Sequence, residues 1–303
     1  MSFNLRQLEA FLWVATLGNF RKTAEKLHTT QPAISARIAA LEDALGVRLL
    51  VRDTGSTHLT AKGQELLPFA ESVLRAVDHL REQAGDSSRL AGILRLGVSE
   101  TIVHTILPHF LARLHDIYPD IDVELSVDVT ANLRDELVTH TLDLAFLLGP
   151  VSEYSITNLE LAAFPLVWVA SPDLDIDAQQ VLHPEDLAKY PLLTYARNTR
   201  PFMEISKRLK ECGTGRLRLF PSSSLSACLR MAIEGIGIAT LPRQMIAPEI
   251  KAGTLIELSA SWGPEDLNFT ASYAAAPFDP VAEKSAILAR EAALDYAQQQ
   301  KTQ

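Results

Sequence analysis

The stretch from Leu5 to Leu45 constrains this chain most, because three runs of helical spacing are joined there by links only a few residues long. In the first, Leu5, Leu8, Phe11, Leu12 and Ala15 form one apolar stripe, ended near Gly18. Asn19 can cap a short second helix, "FRKTAEKL", in which Phe20, Ala24 and Leu27 share a face and the small Ala24 lets another helix come close. "HTT" then allows only a sharp change of direction. The third run, "QPAISARIAALEDAL", repeats Ile34, Ile38, Leu41 and Leu45 along a core face; Thr29 or Thr30 caps its start, and Pro32 is tolerated because first-turn amides have no helical partner. Opposite the core it shows Pro32, Ala36 and Ala39, flanked by Ala33, Ser35 and Ala40, a face without bulk.

A smooth helix face with basic neighbours suits close entry into a major groove. Gln31 and Ser35 can hydrogen-bond base edges, Pro32 and the alanine methyls can meet thymine methyls, and Thr30 and Arg37 border the same face. The pattern also fits a plain three-helix bundle with an alanine-rich surface. The next residues favour the first reading, since "LGVRLLVRDTGSTHLT" predicts a hairpin, with one strand over Val47 to Arg52 and a return at His58 to Thr60, in the position of a wing. Arg21, Lys22, Lys26, Arg48, Arg52 and Lys62 are candidates for phosphate contacts. Charge supports this division. Residues 1–62 hold eight Lys or Arg against five Asp or Glu, whereas the rest of the chain is strongly acidic and the total is −9.

From Thr60 to about Ser87 a long helix carries two seams, Leu66, Phe69, Val73, Ala76, Leu80 and Leu67, Ala70, Leu74, Val77, Arg81, Ala84. One seam can pack on the preceding domain; a second implies another partner, unless the helix is buried by its own chain. Residues 86–92, "DSSRLAG", form a hinge. Beyond it, apolar strands alternate with helices, which implies sheets covered on both faces. One helix is expected over "IVHTILPHFLARLHDIYP", and it holds His104, His109 and His115 too far apart to share a metal. No nucleophile elbow, phosphate-binding loop or zinc-protease signature is present, and "GIGIA" reads as a helix end followed by a buried strand. The expectation is therefore no catalytic residues, no metal and no cofactor.

What remains is binding. Four strand-to-helix links collect hydroxyls, amides and cations: Ser99 and Thr101; Thr130 and Asn132; Thr194, Tyr195, Arg197, Arg200 and Phe202; Ser223 and Ser224. Ligands of open α/β sheets lie beyond the carboxyl ends of strands, and helix starts bind anions, so a small organic carboxylate is expected, with Arg197 or Arg200 as its directional donor. Glu100 and Asp128 would then have to point away or be paired. Each hydroxyl could equally serve as a helix cap. Cys212 and Cys228 read as packed thiols of a reducing compartment, Cys228 in an apolar, inert setting. With no apolar run of about 18 residues and no secretory leader, a soluble cytoplasmic protein without membrane contact is expected.

Residues 5–67 resemble the DNA-binding domain of LysR-type transcriptional regulators: "QPAIS", "LE..LGVRL" and "LTAKG" stand in order and at that family's spacing. Ala36 and Ala39 depart from it where basic or long polar residues are common, and the wing tip has few cations. "GVSETIVHTILPHFLARLHDIYPDIDVEL", "LVTHTLDLAFLLG" and "MAIEGIGIATLP" resemble the effector domain of the same family, which is similar to type 2 periplasmic binding proteins. The resemblance implies an α/β multidomain chain with an N-terminal winged helix-turn-helix over 1–62, a linker and dimerisation helix with hinge over 63–90, and a two-lobed α/β effector domain over 91–303. Its first lobe would span about 91–162 plus 268–303, and its second about 163–267. It implies a sequence-specific regulator bound to promoter duplex as a homodimer or homotetramer, switched by a small molecule, with RNA polymerase as a further candidate partner. A solute-binding protein with a helical interaction head and an enzyme on the same fold are the rival readings.

Overall fold

The computed structural model describes residues 3–53, 56–83, 90, 92–177, 180–212, 217–276 and 278–302. They form two compact units, one of residues 1–91 with 274–281 and one of 92–273 with 282–303.

In the first unit, α1 (Leu5–Leu17) opens on a capping box in which Asn4 Oδ1 accepts from Gln7 N while Gln7 Oε1 accepts from Asn4 N. It closes at Gly18, whose φ of 59° is left-handed. Asn19 Oδ1 accepts from Arg21 N and Lys22 N and starts α2 (Phe20–Lys26); Thr30 Oγ1 accepts from Ala33 N and starts α3 (Gln31–Leu45). Phe11, Leu12, Val14, Phe20, Ile34, Ile38 and Leu41 bury the three helices together. Leu45, expected on the core face, is exposed at the helix end.

The wing pairs β1 (Leu50–Asp53) with β2 (Ser56–Leu59) in antiparallel register. It begins later than the expected Val47 because the carboxylate of Glu42, only 6% exposed, captures the preceding amides: Leu49 N and Leu50 N donate to Oε1 at 2.7 and 3.1 Å, and Arg48 donates to Oε2 at 2.7 Å. Helix α4 (Ala61–Gln83) leaves the wing at a very close approach. A Cβ on Gly63 would stand 2.2 Å from Leu49 O, which no real side chain tolerates. Leu66, Leu67, Ala70 and Leu74 pack on the helical core, while Phe69, Val73 and Leu80 are 65%, 42% and 68% exposed. The helix's expected extension to Ser87 and most of the 86–92 link lie outside the described residues.

The second unit holds two five-stranded mixed sheets. The first has order β4-β3-β5-β12-β6, from β3 (Gly92–Val98), β4 (Ile121–Val127), β5 (Leu144–Leu148), β6 (Ile156–Phe164) and β12 (Leu267–Ala274); β3 runs parallel to β4 and β5, and β12 antiparallel to β5. The second has order β11-β7-β10-β8-β9, from β7 (Leu166–Ala170), β8 (Leu192–Tyr195), β9 (Leu219–Ser222), β10 (Ile238–Pro242) and β11 (Ile256–Leu258), with β7 antiparallel to both neighbours. Each sheet and its helices make one lobe. In order, these helices are α5 (Glu100–Val103), α6 (Leu107–Ile117), α7 (Thr130–Val138), α8 (Pro184–Leu187), α9 (Arg200–Glu211), α10 (Leu225–Ile233), α11 (Ala247–Ala252) and α12 (Pro280–Thr302).

Two local expectations are corrected. The single long helix after the first strand is two, α5 and α6, because Pro108 belongs in a first turn and restarts the helix there; His104 therefore ends α5 while His109 and His115 lie on α6. Strand β6 has no counterpart in the sequence reading, since "ITNLELAAF" spaces its apolar residues irregularly and is only partly buried along its length.

Candidate functional sites

The outer face of α3 is open and nearly featureless. Gln31, Pro32, Ala36, Ala39 and Ala40 are exposed, and Ser35 and Arg37 are half-buried beside them. Thr30 is exposed and spends its hydroxyl on the cap. The flanking cations divide. Arg21 and Lys22 are exposed on α2, Arg21 paired with Glu25 one turn on, and Lys62 is exposed beside Glu65. Lys26 is different: its side chain is 10% exposed and its ammonium lies 4.6 Å from the centre of the Trp13 ring, so it packs rather than projects. Arg48 is held by Glu42. Arg52 stands on β1, and its side chain lies outside the described residues.

In the second unit, the carboxyl ends of strands from both sheets meet at a cavity of about 60 Å³ between the lobes. Four links reach it, as expected: Ser99 to Thr101, Asp128 to Thr130, Tyr195 to Pro201, and Ser222 to Leu225, with Leu148, Leu267 and Phe269 as an apolar floor. Of the residues singled out from the sequence, Ser99, Thr101, Thr130, Tyr195 and Ser223 line it. Asn132, Thr194, Arg197, Arg200, Phe202 and Ser224 do not.

Each of these has a physical reason to be elsewhere. Arg200 donates to Glu265 at 2.6 Å, to Glu204 at 3.2 Å and to the Asp266 carbonyl at 2.6 Å, a pairing across 65 residues that no local pattern announces. Arg197 is exposed and its guanidinium lies 5.5 Å from the Phe202 ring centre, with Phe202 itself buried. Asn132 Nδ2 donates to both oxygens of Asp128 at 3.0 Å. Thr194 is buried within its strand, its carbonyl accepting from Cys228 Sγ. Ser224 caps α10, accepting from Ala227 N at 3.2 Å.

The residue that organises the cavity is Glu100, expected from the sequence only to point away or be paired, and it is paired. Its carboxylate, on the first lobe, spans to the start of α10 on the second: Oε1 accepts from Ser226 Oγ at 2.6 Å, Ser226 N at 2.9 Å and Ser224 Oγ at 3.3 Å, and Oε2 accepts from Leu225 N at 2.5 Å. Burial alone would raise its pKa; the bonds from Ser226 and Leu225, with His104 alongside, outweigh that and hold the carboxyl below its ordinary range. The anion-binding end of α10 is thus occupied by the chain's own carboxylate. The signal available in the sequence was the pair of facts that Glu100 follows a strand directly and that "PSSSLS" offers a serine-rich helix start with no cation.

Two further features set the chemistry. Tyr195 is nine-tenths buried, and its hydroxyl, like that of Ser99, has no hydrogen-bond partner among the described residues. Burial, then the nearby Cys228, push the phenol far above its usual pKa; the Thr101 hydroxyl, close but outside hydrogen-bond geometry, opposes this only in part, so the phenol stays protonated. Asp128 Oδ1 accepts from Val129 N and Asn132, and Oδ2 from Asn132. Among the described residues no group of His, Cys, Asp and Glu is placed to hold a metal, and no helix is long and apolar enough to cross a membrane.

Comparison with known proteins gives two family matches: "Bacterial regulatory helix-turn-helix protein, lysR family" over residues 5–64 and "LysR substrate binding domain" over 87–283. Among curated relatives, the transcriptional regulator CzcR of Bacillus anthracis is 29% identical over 249 residues, covering 82% of this chain and 83% of its own. A "Probable hydrogen peroxide-inducible genes activator" of Streptomyces viridosporus is 31% identical over 256 residues, covering 84% and 82%. Among solved structures, a full-length OxyR variant from Pseudomonas aeruginosa superposes with TM-score 0.62 at 23% identity, covering 97% and 95%. Full-length LysG from Corynebacterium glutamicum with bound effector Arg superposes with TM-score 0.60 at 21% identity, covering 97% and 99%.

Proposed function

Because this chain belongs to the LysR-type family of DNA-binding transcriptional regulators, we propose that it reads a specific duplex with α3 and is switched by a small organic molecule in the interlobe cavity. The observation that carries the first half is the outer face of α3, where methyl groups and Pro32 leave Gln31 and Ser35 as the side chains able to reach base edges. Arg21, Lys22 and Lys62 supply phosphate contacts that hold register without reading sequence, and Arg52 on the wing is assigned the same role. The test is fluorescence anisotropy with a cognate and a scrambled duplex. Ser35→Ala should weaken cognate binding by about 1 to 3 kcal/mol and leave scrambled binding nearly unchanged, whereas equal losses on both would remove Ser35 from base reading.

The second half rests on the convergence of four strand-to-helix links on one cavity, and the LysG structure, with its bound effector Arg, supports a small-molecule reading. A ligand that prefers one separation of the lobes changes how the protein holds DNA, by no more than its differential affinity for the two states. The carboxylate expected from the sequence depended on Arg197 or Arg200 as donor. With both guanidiniums engaged outside the lining and the α10 amides given to Glu100, that ligand has lost its charged partners. The exposed seam of Phe69, Val73 and Leu80 on α4 supports pairing with a second copy, and the working location is the cytoplasm, where promoter DNA is.

A further inference from the structure

The charge of the ligand can be read from the acceptors left in this cavity, an inference that rests on taking the cavity as the effector site. Its lining includes two carboxylates, Glu100 and Asp128, and no lysine or arginine. A carboxylate oxygen has two acceptor directions. Among the described residues, Glu100 Oε1 is saturated by Ser224 and Ser226, but Oε2 receives Leu225 N alone; Asp128 Oδ1 receives two donors, but Oδ2 receives only Asn132. The imidazole of His104 is on the saturated side, 3.8 Å from Oε1. One acceptor direction on each carboxylate therefore remains for a donor from the ligand.

Independently, the buried Tyr195 hydroxyl lines the same cavity without a partner among the described residues, and buried polar groups in folded proteins are nearly always paired. An incoming anion would meet two like charges and find the helix amides already taken. A primary ammonium brings three donors to the three acceptors of Glu100 Oε2, Asp128 Oδ2 and Tyr195 Oη. We propose that the cavity takes the ammonium headgroup of a small organic cation, held by Glu100, Asp128 and Tyr195 above the apolar floor of Leu148, Leu267 and Phe269. The cavity of about 60 Å³ is several times the roughly 10 to 15 Å³ that a single water requires on the same measure, which admits a headgroup of a few atoms.

Three probes of matched size separate the alternatives: ethanolamine, ethylene glycol and glycolate, titrated calorimetrically and by thermal shift into the full-length protein. Ethanolamine should bind saturably and raise the melting temperature, and glycolate should not. Asp128→Asn should weaken ethanolamine by about tenfold or more, and Tyr195→Phe, which keeps the ring packing, should weaken it less. Glycolate or ethylene glycol binding as tightly as ethanolamine, no saturable ethanolamine binding, or an unchanged affinity in Asp128→Asn would each overturn the proposal. Failure of the parent reading looks different: ethanolamine bound through Asp128 with no effect on duplex affinity would leave the cation site standing and remove its regulatory role.

Discussion

Replacing Glu100 by alanine should loosen the second unit measurably, and the size of the effect follows from its partners. Four hydrogen bonds reach this carboxylate, two from the first amides of α10 and two from serine hydroxyls, and its side chain is 16% exposed. A hydrogen bond to a charged group contributes about 1.5 to 3 kcal/mol, yet alanine would let water reach the freed amides. The 3.3 Å bond to Ser224 is weak, and we therefore expect a net loss of about 2 to 3 kcal/mol rather than the sum. For a unit of this size that is a fall of roughly 5 to 10 °C in melting temperature. Trp168 and Trp262, tilted rings 6.3 Å apart in the second lobe, report the transition by fluorescence. The pH dependence supplies the sharper check. A carboxyl whose folded pKa is depressed contributes stability above its unfolded value of 4.5, and that contribution is lost as pH falls through the lower folded value. The gap between parent and Glu100→Ala should thus be full near neutrality and close on acidification below pH 4.5. A cost under about 0.5 kcal/mol, or a gap that ignores pH, would show that the bridge from Glu100 to α10 holds nothing together.

Three other outcomes are expected. The Cys228 thiol is fully buried and its pKa is pushed up to about 11 by burial, so Cys228→Ser should leave any peroxide response of DNA binding unchanged; an intramolecular disulfide in mass spectra after mild oxidation, with altered binding, would contradict this. Gly63→Ala forces a methyl group against Leu49 O and should destabilise the DNA-binding unit by about 1 to 3 kcal/mol in urea unfolding, a tolerated substitution refuting the close approach of α4 to the wing. Phe69→Glu, at a 65% exposed position of the single chain, should shift sedimentation toward the monomer without lowering helix content, and an unchanged oligomer would place the interface elsewhere.

The local rules of the chain were readable wherever a residue satisfies its own neighbours. Asn19 and Thr30 cap the helices they precede, and Gly235, with φ of 71°, comes just after α10 as a helix-ending glycine should. Spacing located the four links around the cavity for the same reason, since each is a strand end continued by a helix start. The pairing of charges distant in sequence could not be read. Arg200 looks like a free loop cation until Glu265 and Asp266 arrive from 65 residues away, and Glu100, expected to point away or be paired, has no visible partner until the fold brings the first turn of α10 against it. Both pairings bear on one question, the sign of the charge a ligand meets, so the architecture came through while the expected carboxylate lost the support of its arginine donors.

The carboxylate of Glu42 bears on how the protein searches DNA. By accepting from Leu49 N, Leu50 N and Arg48 at a position on α3, it ties the start of the hairpin to the helix in the folded protein. A head whose reading helix and wing moved separately would have to order them at every encounter with a duplex, losing affinity to that entropy on right and wrong sequences alike. If α3 reads bases and the wing holds phosphates, as proposed, a mismatch under α3 would also displace the locked wing from its phosphates, and discrimination at a few base pairs would be amplified by contacts that read no base at all.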